Sequence, residues 1–271
     1  TTALLRGELL PLQPLFQGLR GGVLAKTPPL RSSPALEEFL RREQLPDSYR
    51  VDATRWFQPL AASIVTRCEQ TPGPLILGVQ GAQGTGKSTL AALLALLLQR
   101  QGLTVAQVSL DDFYLRPVER RRQQHPLLAT RGVPGTHDTH LAMATLDALC
   151  QARQGQQLAL PRFDKARDDR QPQSEWPVLT GPLDVVIFEG WCLGAQPQPE
   201  ADLLTPINAL EREQDPNGVW RRYVNQQLAG DYQKLFARLH MLVVLHFHNL
   251  GYSPLSIAFL FLVYEVFGII T

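Results

Sequence analysis

Gly81-Ala82-Gln83-Gly84-Thr85-Gly86-Lys87-Ser88 is the stretch whose residue types and spacing promise the most specific chemistry. It follows an apolar run, Leu75-Ile76-Leu77-Gly78-Val79, and opens a Leu/Ala-rich segment from Lys87 to about Gln101. A strand, a glycine loop and a helix N-terminus in that order make a triphosphate site. Glycines let successive backbone N–H groups converge on phosphate oxygens with no Cβ in the way, and the helix dipole adds partial positive charge. Lys87 would reach the β- and γ-phosphates, the Ser88 hydroxyl would ligate Mg²⁺, and Thr89 follows in the first helical turn. A glycine-rich turn before an ordinary core helix would not need every fixed position of this pattern. The sequence predicts a bound nucleotide.

Carboxylates stand where such a site needs them. Asp111-Asp112-Phe113-Tyr114 follows a strand predicted over Thr104 to Leu110. The carboxyl edge of a parallel sheet is where ligands bind, although carboxylate pairs are also common turn residues. A second strand, Asp184 to Glu189, contains the unbroken apolar run Val185-Val186-Ile187-Phe188, typical of a strand buried on both faces. It ends in Glu189-Gly190-Trp191, and an acid there is placed to orient Mg²⁺.

Between these strands lie two charged loops. Arg116 to Asp138 is basic and irregular, with Pro117, Pro126 and Pro134 arguing against one continuous helix. Arg120-Arg121-Arg122 reads as a solvated face rather than a phosphate clamp. The tip, Arg131-Gly132-Val133-Pro134-Gly135-Thr136-His137-Asp138, combines a cation, an imidazole and a carboxylate. Asp138 heads the segment Thr139 to Cys150, so helix N-cap and substrate contact are both open roles. Asp164 to Arg170 follows a short strand expected over Leu158 to Phe163, and its charges alone would suit an exposed loop.

The elements that must position these groups come from the rest of the chain. At 271 residues there is room for one α/β domain with an appendage. The net charge of +1 sets up no field for nucleic acid or an anionic membrane. Cys68, Cys150 and Cys192 show no metal or disulfide spacing, which fits a reducing compartment. Residues 1–71 are expected as a helical extension packed on a nucleotide domain over 72–271. Leu4, Leu5, Leu9, Leu10, Leu12 and Leu15 are too dense for a linker, while Pro11 and Pro14 limit any helix there. Helices are predicted over Ala35 to Arg42 and Asp52 to Cys68, the second with Asp52 as N-cap. After the glycine loop, Leu90, Leu93, Leu94 and Leu97 form a core face, and Gly102 closes the helix. Val219 to about Leu239 reads as a helix with Arg221 and Arg222 in its first turn, where the dipole disfavours cations. That conflict suits a lid that swings arginines onto phosphates. Met241 to Leu245 is the last expected strand. Ser256 to Ile270, apolar apart from Glu265, is too short and interrupted for a membrane span and reads as a buried element or a partner-covered helix.

Read together, Ser109-Leu110-Asp111-Asp112-Phe113-Tyr114, the Arg131 to Asp138 tip, Leu160-Pro161-Arg162-Phe163-Asp164-Lys165, Asp169-Arg170 and Ile187-Phe188-Glu189-Gly190-Trp191 follow the glycine loop in this order. The combination resembles the ATP-dependent D-glycerate 3-kinases of plant, cyanobacterial and fungal type. These sit within the wider P-loop kinases that include uridine kinase, phosphoribulokinase and bacterial pantothenate kinase. The resemblance covers roughly residues 73 to 245. It implies a three-layer α/β fold with a parallel sheet flanked by helices, ATP and Mg²⁺ as cofactors, and phosphoryl transfer to a primary hydroxyl of D-glycerate. Asp111 matches the acid that serves as base in the wider group, and Ser88, Asp111 and Glu189 would face the metal. Asp112 would be a second metal or substrate contact. Tyr114, His137, Asp138, Phe163, Asp164, Lys165, Asp168 and Arg170 would line the acceptor pocket. Arg131, Lys165 and Arg170 are open choices for the cation that meets the glycerate carboxylate.

The implied partner is a small molecule, with neither nucleic acid nor membrane. The implied compartment is the cytoplasm, or the chloroplast stroma if a leading segment has been trimmed. The family pattern continues past the last strand into a polar helical segment with Trp-Arg and Gln-Glu elements. Here His246-Phe247-His248-Asn249-Leu250 and the apolar tail stand instead, as a frameshifted gene end or true divergence would leave them. Two alternatives accompany the glycerate kinase. One keeps the fold but takes a nucleoside, pantothenate or a sugar phosphate; the other is an ATP-binding module without turnover.

Overall fold

A computed structural model describes residues 33–122, 125–249 and 257–265. The leucines expected to pack between Leu4 and Leu15 lie outside the described residues. The first helix, α1 (Pro34–Arg42), starts with Pro at its first position and buries Leu36, Phe39 and Leu40, the i, i+3, i+4 spacing of one face. The second differs from expectation at its start. Tyr49–Asp52 is already helical and runs through a wide turn, Ala53–Phe57, into α2 (Gln58–Gln70). Asp52 therefore sits inside helical backbone with no side-chain cap bond, because an N-cap needs an extended φ/ψ that this position does not have.

Next come β1 (Leu75–Gly81), α3 (Lys87–Gln99), β2 (Val105–Ser109) and α4 (Thr139–Cys150). Four short strands stand outside the main sheet: β3 (Gln157–Ala159) pairs with β6 (Val178–Thr180), and β4 (Phe163–Asp164) with β5 (Asp169–Arg170), both antiparallel. The expected strand from Leu158 to Phe163 is thus split between two hairpins. The chain then forms β7 (Val185–Gly190), α5 (Val219–Gln227), β8 (Met241–Asn249) and β9 (Ile257–Glu265). The expected helix from Val219 to Leu239 breaks after α5 into a wide turn kinked at Gly230 and a short helix, Gln233–Phe236.

The main sheet has the order β2-β7-β1-β8-β9, with the first four strands parallel. Alternation along these strands feeds two cores. Leu75, Leu77, Val79, Val185, Ile187, Met241 and Val243 face a cluster shared with α1, α2 and α3. Ile76, Val186, Phe188, Leu242 and Val244 face one shared with α4 and the segment Leu228–Leu239. The inner strands β1 and β7, covered on both faces, carry no charged residue until their ends, which is where the chemistry lies. The fifth strand overturns the helix alternative for the tail. Ile257 to Glu265 pairs antiparallel with β8, from Met241↔Glu265 to Asn249↔Ile257. An apolar run of this length does not declare its period, and the open edge of β8 offers it backbone partners. Among the described residues no helix is long and apolar enough to cross a membrane.

Candidate active site

The register of the sheet levels the ends of its central strands. Glu189 pairs with both Val79 and Ser109, so the glycine loop after β1 and the Asp111 turn after β2 leave from either side of Glu189. Gly84 and Gly86 both have φ of 81°, a region side chains with a Cβ avoid. Thr85 is buried and turns its hydroxyl onto the Ala82 carbonyl at 2.8 Å, which folds the loop back on itself. Gly86 then occupies the N-cap position of α3, whose leucines anchor the loop from below. Ser88 Oγ donates to Glu189 Oε1 at 3.3 Å, and Glu189 Oε2 is buried with no partner among the described residues. A hydroxyl and a carboxylate with a spare oxygen are the hard donors that Mg²⁺ takes, usually one or two from protein and the rest from phosphate and water. The residues present fit that ion.

On the acceptor side, Leu110 and Phe113 are buried and fix a single 3₁₀ turn, which leaves Asp111 and Asp112 between them at the sheet edge. Asp111 Oδ1 accepts from the Tyr114 hydroxyl at 3.0 Å and Oδ2 from Lys165 Nζ at 2.7 Å. Burial pushes the Asp111 carboxyl up, but the Lys165 ammonium and the Tyr114 hydroxyl outweigh it, and the carboxyl titrates below the usual range. Asp112 takes another course. Its oxygens accept from Arg162 Nη1 at 2.8 Å and from the Phe163 amide at 3.2 Å, so it ties the turn to β4. Burial raises its carboxyl despite Arg162. Asp112 thus braces the turn with one bond to each oxygen, and the expected metal or substrate contact would use the lone pairs these bonds leave.

The glycine-proline tip docks on the same turn. Tyr114 pairs with His137, and the Asp138 amide donates to the Phe113 carbonyl at 2.7 Å. Asp138 fills both of its open roles in part: Oδ1 caps α4 through the Leu141 amide at 3.0 Å, and Oδ2 accepts from Arg170 at 3.2 Å. His137 is 4% exposed, stacks on Tyr114 at 4.4 Å and meets the Tyr232 hydroxyl through Nδ1 at 2.6 Å. Burial drives its imidazole down to about 3, so it is neutral near pH 7. Trp191 Nε1 donates to the Gly132 carbonyl at 2.8 Å, and Gln80 donates to the Trp191 carbonyl at 3.0 Å, which links the tip to β1. Phe163 stands edge-on to Tyr114 at 5.4 Å and under the Arg131 guanidinium at 5.7 Å. Arg131 also pairs with Asp168 and donates to the Lys165 carbonyl at 3.1 Å.

No family model matches the chain. Individual relatives do. The chloroplastic D-glycerate 3-kinase of Arabidopsis thaliana is 34% identical over 167 residues, covering 56% of this chain and 36% of that protein. An uncharacterized kinase of Schizosaccharomyces pombe is 35% identical over 191 residues, 66% of this chain and 67% of its own length. Among solved structures, the D-glycerate 3-kinase from Cryptococcus neoformans superposes with a TM-score of 0.58 at 29% identity, over 73% of this chain and 74% of that one. This chain belongs to the P-loop kinases related to D-glycerate 3-kinase. It spans little more than a third of the plant relative's length.

Within this family fold, two expectations about arginines need correction. Of the two expected lid arginines, Arg221 is not poised to swing. Arg221 is 7% exposed and bound to the Asp215 carboxylate and the Leu203 carbonyl, which resolves its conflict with the helix dipole by local pairing. Arg222 lies on Glu200 at 2.9 Å and on the Asn217 carbonyl at 2.7 Å. Asp164 closes a turn by accepting the Ala166 and Arg167 amides on Oδ1 at 2.8 and 3.0 Å, while Oδ2 meets Arg167 at 3.4 Å. Arg120, read as part of a solvated face, is 1% exposed and holds Asp168 together with the Leu115 and Ala129 carbonyls. Sequence reasoning also missed Arg162 and Tyr232 as partners of Asp112 and His137. Arg162 lies inside a quoted motif and could have been found there; Tyr232 sits in an irregular helical turn that gives no local signal.

Proposed function

We propose that this chain transfers the γ-phosphoryl group of ATP to the 3-hydroxyl of D-glycerate. Phosphoryl transfer asks for little covalent help: the γ-phosphate is held in line, its charge is offset, and the acceptor proton is taken. The loop amides and Lys87 hold and offset the phosphate. Ser88 and Glu189 would hold Mg²⁺, which when bound supplies charge neutralisation to the phosphates. Asp111 takes the proton as the acceptor oxygen bonds phosphorus and the bond to the β-phosphate oxygen breaks, leaving ADP. A general base of this kind contributes about 10²–10⁴-fold.

The observation that carries the reading is the setting of Asp111. It is ionised at neutral pH, adjoins the Glu189 strand end on one side, and on the other faces Lys165 and the Arg131 loop. A base between a phosphate loop and a cationic wall suits a small acceptor that carries its own negative charge. The relatives' names supply the specific acid. A panel of D-glycerate, uridine, pantothenate and a sugar phosphate, each with MgATP and an ADP-coupled readout, tests it. Turnover on D-glycerate well above the others is expected. Turnover on a neutral nucleoside with none on D-glycerate would contradict it, and ATP binding with no turnover on any acceptor would leave a binding module.

A further inference from the structure

The acceptor wall carries charge in pairs, with one exception. Lys165 stands on Asp111, Arg162 on Asp112 and Arg170 on Asp138, each one to one among the described ion pairs. Asp168 instead serves two guanidinium groups, Arg120 and Arg131. One positive charge there has no matching carboxylate. Arg120 cannot present it to a ligand: the side chain is 1% exposed and all three nitrogens are bonded, to the Ala129 carbonyl, the Leu115 carbonyl and Asp168. Arg131 can, being 28% exposed at the side chain and lying over the Phe163 ring. Asp168 itself has a φ of 55°, unusual for a residue with a Cβ, which sets its carboxylate between the two.

We infer that Arg120 is a positioning and specificity residue: by taking one oxygen of Asp168 it leaves Arg131 as the surplus charge that receives the acceptor's carboxylate. This rests on the proposed phosphorylation of a hydroxy acid, and it ranks the three candidate cations. Arg170 is only 12% exposed at the side chain and shares its carboxylate, Asp138, with no second cation among the described residues, and Lys165 is committed to the base. Arg131 in turn holds the Lys165 carbonyl at 3.1 Å, so a shift of the Arg120–Asp168 brace would also move the backbone of the lysine beside Asp111. The brace runs from the interior to the base through side chains of three separate segments.

The test is steady-state kinetics on Arg120→Lys, which keeps a buried cation but cannot hold Asp168 and two carbonyls at once. KM for D-glycerate is expected to rise by about tenfold or more, the loss of a charge-assisted hydrogen bond, with a smaller fall in kcat transmitted through the Lys165 backbone and KM for ATP nearly unchanged. A merely structural Arg120 would lower thermal stability and leave the D-glycerate KM where it was, and that result overturns the inference. Arg131→Met, at a more exposed position, guards against failure of the buried variant to fold. It should cut the preference for D-glycerate over glycerol, which lacks the carboxylate, by about a hundredfold, and an intact preference overturns the inference even if Arg120→Lys does not fold. Wild-type turnover separates this from the parent reading. If the chain phosphorylates a different anionic alcohol, the D-glycerate assignment fails, and a KM for that alcohol raised in Arg120→Lys still supports the brace. If it phosphorylates only neutral alcohols, both fail.

Discussion

The two halves of the site are built in opposite ways. The phosphate half is one contiguous loop, Gly81 to Ser88, whose work is done by backbone: glycines at φ of 81° and a buried Thr85 that folds the loop on itself. The acceptor half is assembled from side chains of the turn after β2, the basic loop, the tip before α4 and the β4–β5 hairpin. The first half recognises something every triphosphate has. The second, in the proposed reading, selects the acceptor, and it arranges carboxylates and cations so that nearly all are paired. A backbone cradle tolerates little variation, whereas a charge network can be retuned by single side chains.

The sharpest way to break this comparison is at the point where the halves meet. Asp111→Asn should reduce turnover by about 10²–10⁴-fold while leaving ATP affinity near wild type, measured by calorimetry. Turnover retained in that variant would remove Asp111 as base and the acceptor half would need another. Next in size is the arginine that was expected to serve the phosphate half and serves neither. Arg221→Met should cost about 3–5 kcal/mol of stability by stranding the buried Asp215, with kcat per folded molecule unchanged. Denaturant unfolding beside kinetics decides it; a stable variant with a collapsed kcat would restore the lid.

Smaller effects sharpen the electrostatics. Asp111 titrates below the usual carboxylate range because Lys165 and Tyr114 outweigh burial. The acid limb of kcat/KM should therefore lie below that of an ordinary carboxylate in the wild type. In Lys165→Met burial acts with less opposition, so the limb should move to higher pH; an unmoved limb would mean that another group sets it. The least is a stability effect at His137. Its folded value is about 3, against about 6.5 unfolded, so between those values the unfolded chain binds the extra proton and stability rises with pH. From pH 6.5 down to 4.5 the wild type should lose up to about 1.4 kcal/mol per unit from this group, and His137→Gln should flatten that slope in urea titrations. An equal slope in both proteins would show that His137 titrates normally.

The same contrast governs what the residues disclosed before folding. The phosphate loop was legible because eight adjacent residues fix its geometry, and the parallel strands because unbroken apolar runs such as Val185 to Phe188 suit little else. Arg120 was not legible. No residue type nearby distinguishes it from Arg121 and Arg122, which are exposed; its partners are the Leu115 and Ala129 carbonyls, which any residue could supply, and Asp168, 48 residues further on. Arg221 did leave a sign, a cation where the helix dipole disfavours one, but its resolution lay six residues back in Asp215 rather than in a ligand. Asp112 shows the same limit, since the Arg162 that engages it arrives from another loop. The tail from Ser256 was ambiguous for a different reason: a short apolar run takes its conformation from whatever partner it meets, here the edge of β8.

One measurement bears most directly on the acceptor assignment. Incubated with MgATP and D-glycerate, the chain should give a single new phosphomonoester. Its proton-coupled ³¹P signal should be split by the two methylene protons beside the 3-oxygen. Splitting by the lone methine proton beside the 2-oxygen, or no phosphoglycerate at all while another alcohol is phosphorylated, would contradict it.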